Sequence, residues 1–269
     1  MKQPKTIQIL VVFGLIVLTV LLFFTNKKGK PSKKESPKVE VQIIDLNRYS
    51  DSIVKALDQE QKARIETFKQ FENKAETYDS IARIVATKSM GAAASFLEKK
   101  AEFVASAQAW KDAGMLYYRA THFEKPELLP TIFGKAQWCF SNALKLDASD
   151  LEAETMLGTC YVEEGSKAME GVTILKNVVK KDSTFLEAQV QLGVFAIQSG
   201  QYEKALERFE KILKINPEYI QAYIYLGQIY ADMGRKKEAI EVLRLYMKKS
   251  NDYTLNQQVE KFINELEKQ

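Results

Sequence analysis

The chemistry open to this sequence is limited by which reactive residues it holds and how they are spaced. Its single histidine, His122, has no second histidine, cysteine or acidic group around it at metal-ligand spacing. It reads as an ordinary surface or packing residue. Cys139 and Cys160 lie 21 residues apart and are too few for a disulfide framework or a structural zinc site. They read as buried thiols acting as small apolar groups, with a bridge open only in an oxidising compartment. No Gly-rich phosphate loop, no G-x-S-x-G and no H-E-x-x-H occurs. Acids are plentiful, but they sit beside lysines, as in Glu203-Lys204 and Glu207 with Lys211, which is how solvated helix faces look. A carboxylate pair for acid–base work would look the same, so an enzyme using exposed acids remains the remote reading. No residue is assigned a catalytic, cofactor-binding or metal-ligating role.

The elements that carry these residues are set by composition. Of 269 residues, 46% are hydrophobic and 28% charged, with six prolines and twelve glycines, which argues against a loop-rich or disordered chain. The net charge of +4 is uneven. Residues 1–38 hold eight lysines and one acid, leaving 31 basic against 34 acidic residues in the remainder. The folded part thus has no basic surplus to drive nucleic-acid binding.

Residues 7–24 form an uncharged apolar run of 18 residues, near the lower limit for a helix crossing roughly 30 Å of hydrocarbon. Phe23, Phe24, Thr25 and Asn26 follow it, without the small-x-small site of a cleaved signal peptide. Residues 1–26 therefore read as an uncleaved, single-pass anchor in the cell (inner) membrane. The flank after it, with Lys27, Lys28, Lys30, Lys33 and Lys34, is richer in charge than the leading flank. The positive-inside rule then favours a soluble part on the cytoplasmic side, with the periplasmic side open. Residues 27–46 read as a charged, flexible linker, and its lysines suit anionic headgroups.

Beyond the linker, internal repetition governs. Residues 186–219 and 220–253 are consecutive 34-residue units. Leu192-Gly193, Gly200, Ala205, Phe209 and Pro217 in the first correspond to Leu226-Gly227, Gly234, Ala239 and Leu243 in the second, with Asn251 in the proline's place. The unit before, 151–185, has Leu157-Gly158, Tyr161, Gly165, Gly171 and Leu175, with one extra residue in its turn. The spacing is one of packing. Small residues let two helices approach, large ones fill the space beside them, and Gly200 and Gly234 supply turns. Pro217 ends a helix because it has no amide proton to donate. Phe209, Tyr223 and Tyr230 take core places. These residues resemble the tetratricopeptide repeat family, of the bacterial membrane-anchored type. The resemblance implies an all-α solenoid of tandem helical hairpins, preceded here by a single transmembrane helix.

Upstream the repetition loosens. Trp110, Gly114, Tyr117, Ala136, Phe140 and Ala143 mark a unit at 107–150, stretched by an inserted loop at Thr121–Thr131 with Pro126 and Pro130. Residues 47–106 read as a lead-in helix (47–72) and a degenerate repeat (73–106) with Ala92 and Phe96. Residues 254–269 read as a capping helix with Val259, Phe262, Ile263 and Leu266 on one face, which shields the end of the array.

In that family the first helix of each unit lines a concave groove that holds an extended peptide or another domain. Carried over by register, the 107–150 unit offers Gln108, Lys111, Asp112, Met115, Tyr118 and Arg119. The next offers Glu152, Thr155, Met156, Thr159, Val162 and Glu163. The third offers Glu187, Val190, Gln191, Val194, Ile197 and Gln198. The last offers Gln221, Ile224, Tyr225, Gln228 and Asp232. Val190, Val194, Ile197 and Ile224 form an apolar strip that either anchors a partner or is buried by the array itself. Chaperone-binding members clamp a terminal carboxylate with Lys, Asn and Arg. The matching places here hold Thr155, Thr159, Val190 and Val194, so no such clamp is expected. The expected function is a membrane-tethered scaffold or adaptor for a protein or peptide partner. A chaperone-like holder of unfolded or exported chains is the alternative. Homo-oligomerisation through the array or a long helix at 47–72 is also open.

Overall fold

A computed structural model describes residues 44–268. Among these residues the chain forms thirteen α-helices and one short 3-10 helix, with no strand. The apolar run at 7–24 and nearly all of the linker lie outside the described residues. Among those described, no helix is long and apolar enough to cross a membrane.

The four units 107–253 fold as four hairpins. Helices α5 (Ala107–Ala120) and α6 (Leu129–Leu146) make the first, α7 (Leu151–Glu164) and α8 (Ala168–Lys181) the second, α9 (Leu186–Gln198) and α10 (Tyr202–Ile215) the third, and α11 (Gln221–Asp232) and α12 (Lys236–Lys249) the fourth. Small residues set the approach within each pair. A Cβ on Gly193 would meet the Phe209 ring at 2.8 Å, and one on Gly227 would meet Leu243 at 2.5 Å. The tightest crossing joins α7 to α8. There a Cβ on Gly171 would stand 2.4 Å from the Gly158 carbonyl oxygen and 2.8 Å from the Val162 amide nitrogen. Backbone meets backbone at this point, which is why glycine stands where the other units have alanine. Helices α7, α9 and α11 end on glycines with positive φ, Gly165 at the cap and Gly200 and Gly234 just past it.

Helix α13 (Tyr253–Lys268) closes the array. It buries Val259, Ile263 and Leu266, and Arg244 on α12 reaches Glu267 at 3.0 Å.

The N-terminal part departs from the sequence reading in two ways. The single lead-in helix expected at 47–72 is two helices, α1 (Leu46–Lys55) and α2 (Gln59–Lys69). Asp58 accepts from the Gln61 amide in a capping box that starts α2 afresh, and Leu57 between them is buried. The second departure lies in the insertion, which is partly helical. The 3-10 helix Pro126–Leu128 runs into α6, an 18-residue helix, because prolines tolerate a first turn. Between them, α3 (Lys74–Val85) and α4 (Met90–Val104) form the hairpin read at 73–106.

The insertion holds the N-terminal helices in place. The Glu124 carboxylate accepts from Ser89 Oγ (2.6 Å), the Gly91 amide (3.0 Å) and Tyr49 Oη (3.2 Å). It therefore caps the start of α4 and ties α1 to it. The Ile44 amide donates to Thr131 Oγ1 at 3.1 Å. Below, buried Glu98 accepts from Tyr117 Oη and from Lys135 Nζ, each at 2.6 Å, and so joins α4, α5 and α6.

Candidate partner-binding face

Helices α5, α7 and α9 touch in sequence along one side, whereas the second helices α6, α8 and α10 approach one another less. The first helices therefore form the inner face of the curved array. Capping differs along it. Ser106 and Asp150 cap α5 and α7 with their side chains, while α9 and α11 start without a side-chain cap.

Burial sorts the expected face into two classes. Eight of its residues are buried: Tyr118, Thr155, Met156 and Thr159, then Val190, Ile224, Tyr225 and Gln228. The apolar strip is thus shorter than expected. Val190 and Ile224 are only 1% and 2% exposed. Tyr225 stacks on Phe209 at 4.4 Å between centroids, so it joins the core, whereas Tyr223 and Tyr230 are only half-buried. Thr159 Oγ1 donates to the Thr155 carbonyl, as a packed threonine in a helix does. Gln228 is buried too, and its amide donates to Asp232 at 2.7 Å.

The reachable part is narrower. Val194 and Ile197 are half-exposed on α9, between half-exposed Gln191 and exposed Gln198. Gln221 and Asp232 on α11 and Arg119 on α5 are also half-exposed. Exposed acids flank them, namely Asp112, Glu152, Glu163 and Glu187. Lys111 is occupied by two carboxylates, Asp150 at 2.8 Å and Glu152 at 2.9 Å, which lock the first unit to the second.

Glu163 differs from the other acids. It is open to solvent, yet protein surrounds it on the inner face. This desolvation pushes its carboxyl up from 4.5 to about 7, against the pull of a hydrogen bond from Tyr118 Oη at 2.8 Å. Among the described residues it pairs with no cation. Arg119, at the equivalent register place on α5, makes no ion pair with it, and its Nε is buried without a partner. Sequence alone does not single Glu163 out, because an acid near a helix end looks the same wherever it points.

His122 is exposed, with its ring edge-on to Tyr118 at 5.3 Å. Cys139 and Cys160 are free and buried, and burial pushes both thiols up, away from reactivity. Among the described residues no group of three or more His, Cys, Asp or Glu could hold a metal ion. A shallow pocket between α2 and α3, lined by Arg64, Phe68 and Arg83, lies outside the four units.

Residues 196–254 match the family model described as tetratricopeptide repeat. A UDP-N-acetylglucosamine–peptide N-acetylglucosaminyltransferase of Giardia intestinalis is 25% identical over 130 residues, which is 48% of this chain; the match spans only 8% of that relative's length. Among solved structures, MamA from Desulfovibrio magneticus RS-1 aligns with a TM-score of 0.50 at 21% identity, over 67% of this chain and 98% of that one. It shares the fold. YrrB, described as a TPR protein with an unusual peptide-binding site, aligns with a TM-score of 0.45 at 22% identity, over 75% of this chain and 97% of that one.

Proposed function

We propose, from the premise that this chain carries tetratricopeptide repeats, that it is a scaffold or adaptor that holds a protein partner along the inner face of its hairpins. The observation that carries this reading is the reachable strip on α9. Val194 and Ile197 lie half-buried, and so still partly reachable, between half-buried Gln191 and exposed Gln198. Apolar groups beside amides at a concave face suit an extended peptide, which needs both anchors and backbone hydrogen bonds. The transferase named above is matched over too small a share of its length to lend its activity. The chain is read as non-catalytic. A chaperone-like holder of unfolded chains would need a broad apolar surface. With Val190 and Ile224 buried, the face favours an adaptor for defined segments.

The apolar run 7–24 is proposed to tether the scaffold to the membrane as a single-pass anchor, with the repeats on the side that its lysine-rich flank selects. A reporter fused at the C-terminus reads that side.

The adaptor reading is tested in cells by a photo-cross-linking amino acid placed at Gln198 on the inner face, or at Lys211 on α10, which is exposed. A discrete adduct from Gln198 and none from Lys211 is expected. Equal adducts, or none from either, would remove the proposal.

A further inference from the structure

Helices α2 and α3 touch far less than the two helices of any hairpin that follows them. Between them opens a shallow cavity of about 440 Å³. Its lining comes from one face of each helix. Gln61, Arg64 and Phe68 recur at helical spacing on α2, as do Ser80, Arg83 and Ile84 on α3, with Thr87 just past the end. The floor is apolar, since Ile84 is buried and Phe68 half-buried, while both arginines are exposed. At one end Gln61 Nε2 donates to Thr87 Oγ1 at 3.3 Å and ties the helices together.

Neither guanidinium is neutralised. Asp79, one turn before Arg83, gives its carboxylate to Lys100 Nζ at 2.7 and 2.8 Å. Arg83 turns instead to the Asp79 carbonyl at 3.3 Å and to Ser80 Oγ at 3.5 Å. On α2, Glu66 is held by Lys69 at 2.7 Å. Glu60, one turn before Arg64, does not line the cavity and makes no ion pair with it. Among the described residues, therefore, two arginines from separate helices share one cavity with no carboxylate on either.

Two unpaired cations above an apolar floor call for an anion that carries an apolar body. A carboxylate is planar and singly charged, and one guanidinium saturates it with two parallel hydrogen bonds. Two guanidiniums reaching from separate helices suit a tetrahedral group with nearly two negative charges and three accepting oxygens, which is a phosphate monoester. The half-buried Ser80 hydroxyl adds a donor on the wall that holds Arg83. The volume is in the range of small-ligand sites, about 300–1,000 Å³.

We infer that the cavity between α2 and α3 binds a phosphate monoester on a small apolar or aromatic body, its dianion on Arg64 and Arg83 and its body on Phe68 and Ile84. The site lies outside the four units, so it stands whether or not the inner face holds a partner. The same chemistry is offered by a soluble phosphorylated molecule and by the phosphomonoester headgroup of a lipid.

The test is calorimetry on the full-length protein in neutral detergent, with phenyl phosphate as the probe. One-to-one binding is expected, at least tenfold tighter than that of inorganic phosphate. It should also be at least tenfold tighter than that of phenyl sulfate, which has the same shape and about half the charge. Arg64→Ala and Arg83→Ala should each weaken binding at least fivefold with an unaltered melting curve. The sulfate arm leaves the protein unaltered, so it decides the matter even if a variant folds poorly. Nanodiscs then read the source. Phosphatidate in the bilayer should weaken phenyl phosphate binding, relative to phosphatidylglycerol, if a lipid headgroup fills the cavity; equal binding in the two bilayers assigns it to a soluble ligand. No binding of phenyl phosphate, equal affinity for phenyl sulfate, or unchanged affinity in both arginine variants would overturn the site.

Discussion

The two halves of the described chain are held together by different means. In the units at 151–253, hairpins stack through shape. Glycine meets phenylalanine, leucine or another glycine, and α8 to α12 start without side-chain caps. From 44 to 150, every α-helix up to α5 starts on a capping Asp, Asn or Ser side chain. Buried polar ties such as Glu98–Tyr117–Lys135 then join helices that no period relates. A regular array gains stability from repeating one interface, whereas an irregular one must specify each contact. Both tryptophans, Trp110 and Trp138, lie in the N-terminal half, so their fluorescence follows that half while circular dichroism follows all helices.

The largest expected effect falls in the regular half. Gly171→Ala pushes a methyl into the Gly158 carbonyl and should destabilise by about 3 kcal/mol, since neither backbone can yield without separating α7 from α8. In urea, helix loss should then precede the tryptophan change. Coincident, unshifted transitions would show that the crossing is looser than described.

The counterpart in the irregular half is Glu98→Ala. It strands the fully buried Tyr117 hydroxyl and should cost about 2 kcal/mol, and here the tryptophan signal should shift first. A shift confined to circular dichroism would break the distinction between the halves.

A smaller gain is expected at Ala105, which ends α4 at φ 50°, in the left-handed region. Ala105→Gly should raise stability by about 1 kcal/mol in thermal unfolding. No gain would mean that this cap is unstrained.

A separate effect is one of pH. A carboxyl that titrates at about 7 when folded and near 4.5 when unfolded holds its proton more tightly in the fold. Stability therefore falls as pH rises from 4.5 to 7 and levels off above. Glu163→Gln should flatten that slope in urea titrations, and an unchanged slope would locate the proton elsewhere.

Legibility in the sequence followed the same division. The regular units were readable because Gly193 with Phe209 and Gly227 with Leu243 recur at fixed spacing, and spacing is what a sequence displays. The contacts of Glu124 with Tyr49 and Ser89 were not, because they join residues 75 and 35 places apart with no period. The break of the lead-in helix had a local signal, Asp58 three places before Gln61, that the surrounding helical run concealed. On the inner face, register gave direction but not depth. Val190, Ile224 and Tyr225 do lie on first helices, yet they are buried. Glu163 stands out only once the surroundings of each acid are known.

The reachable strip on α9 can be tested with Val194→Ala and Ile197→Ala combined, titrated by calorimetry with a peptide selected for binding to the full-length protein from a phage-displayed random library. At least tenfold weaker binding, with an unaltered melting curve, is expected if this strip holds the partner's apolar residues. Unchanged affinity in a folded double variant would contradict the account and place the binding surface elsewhere.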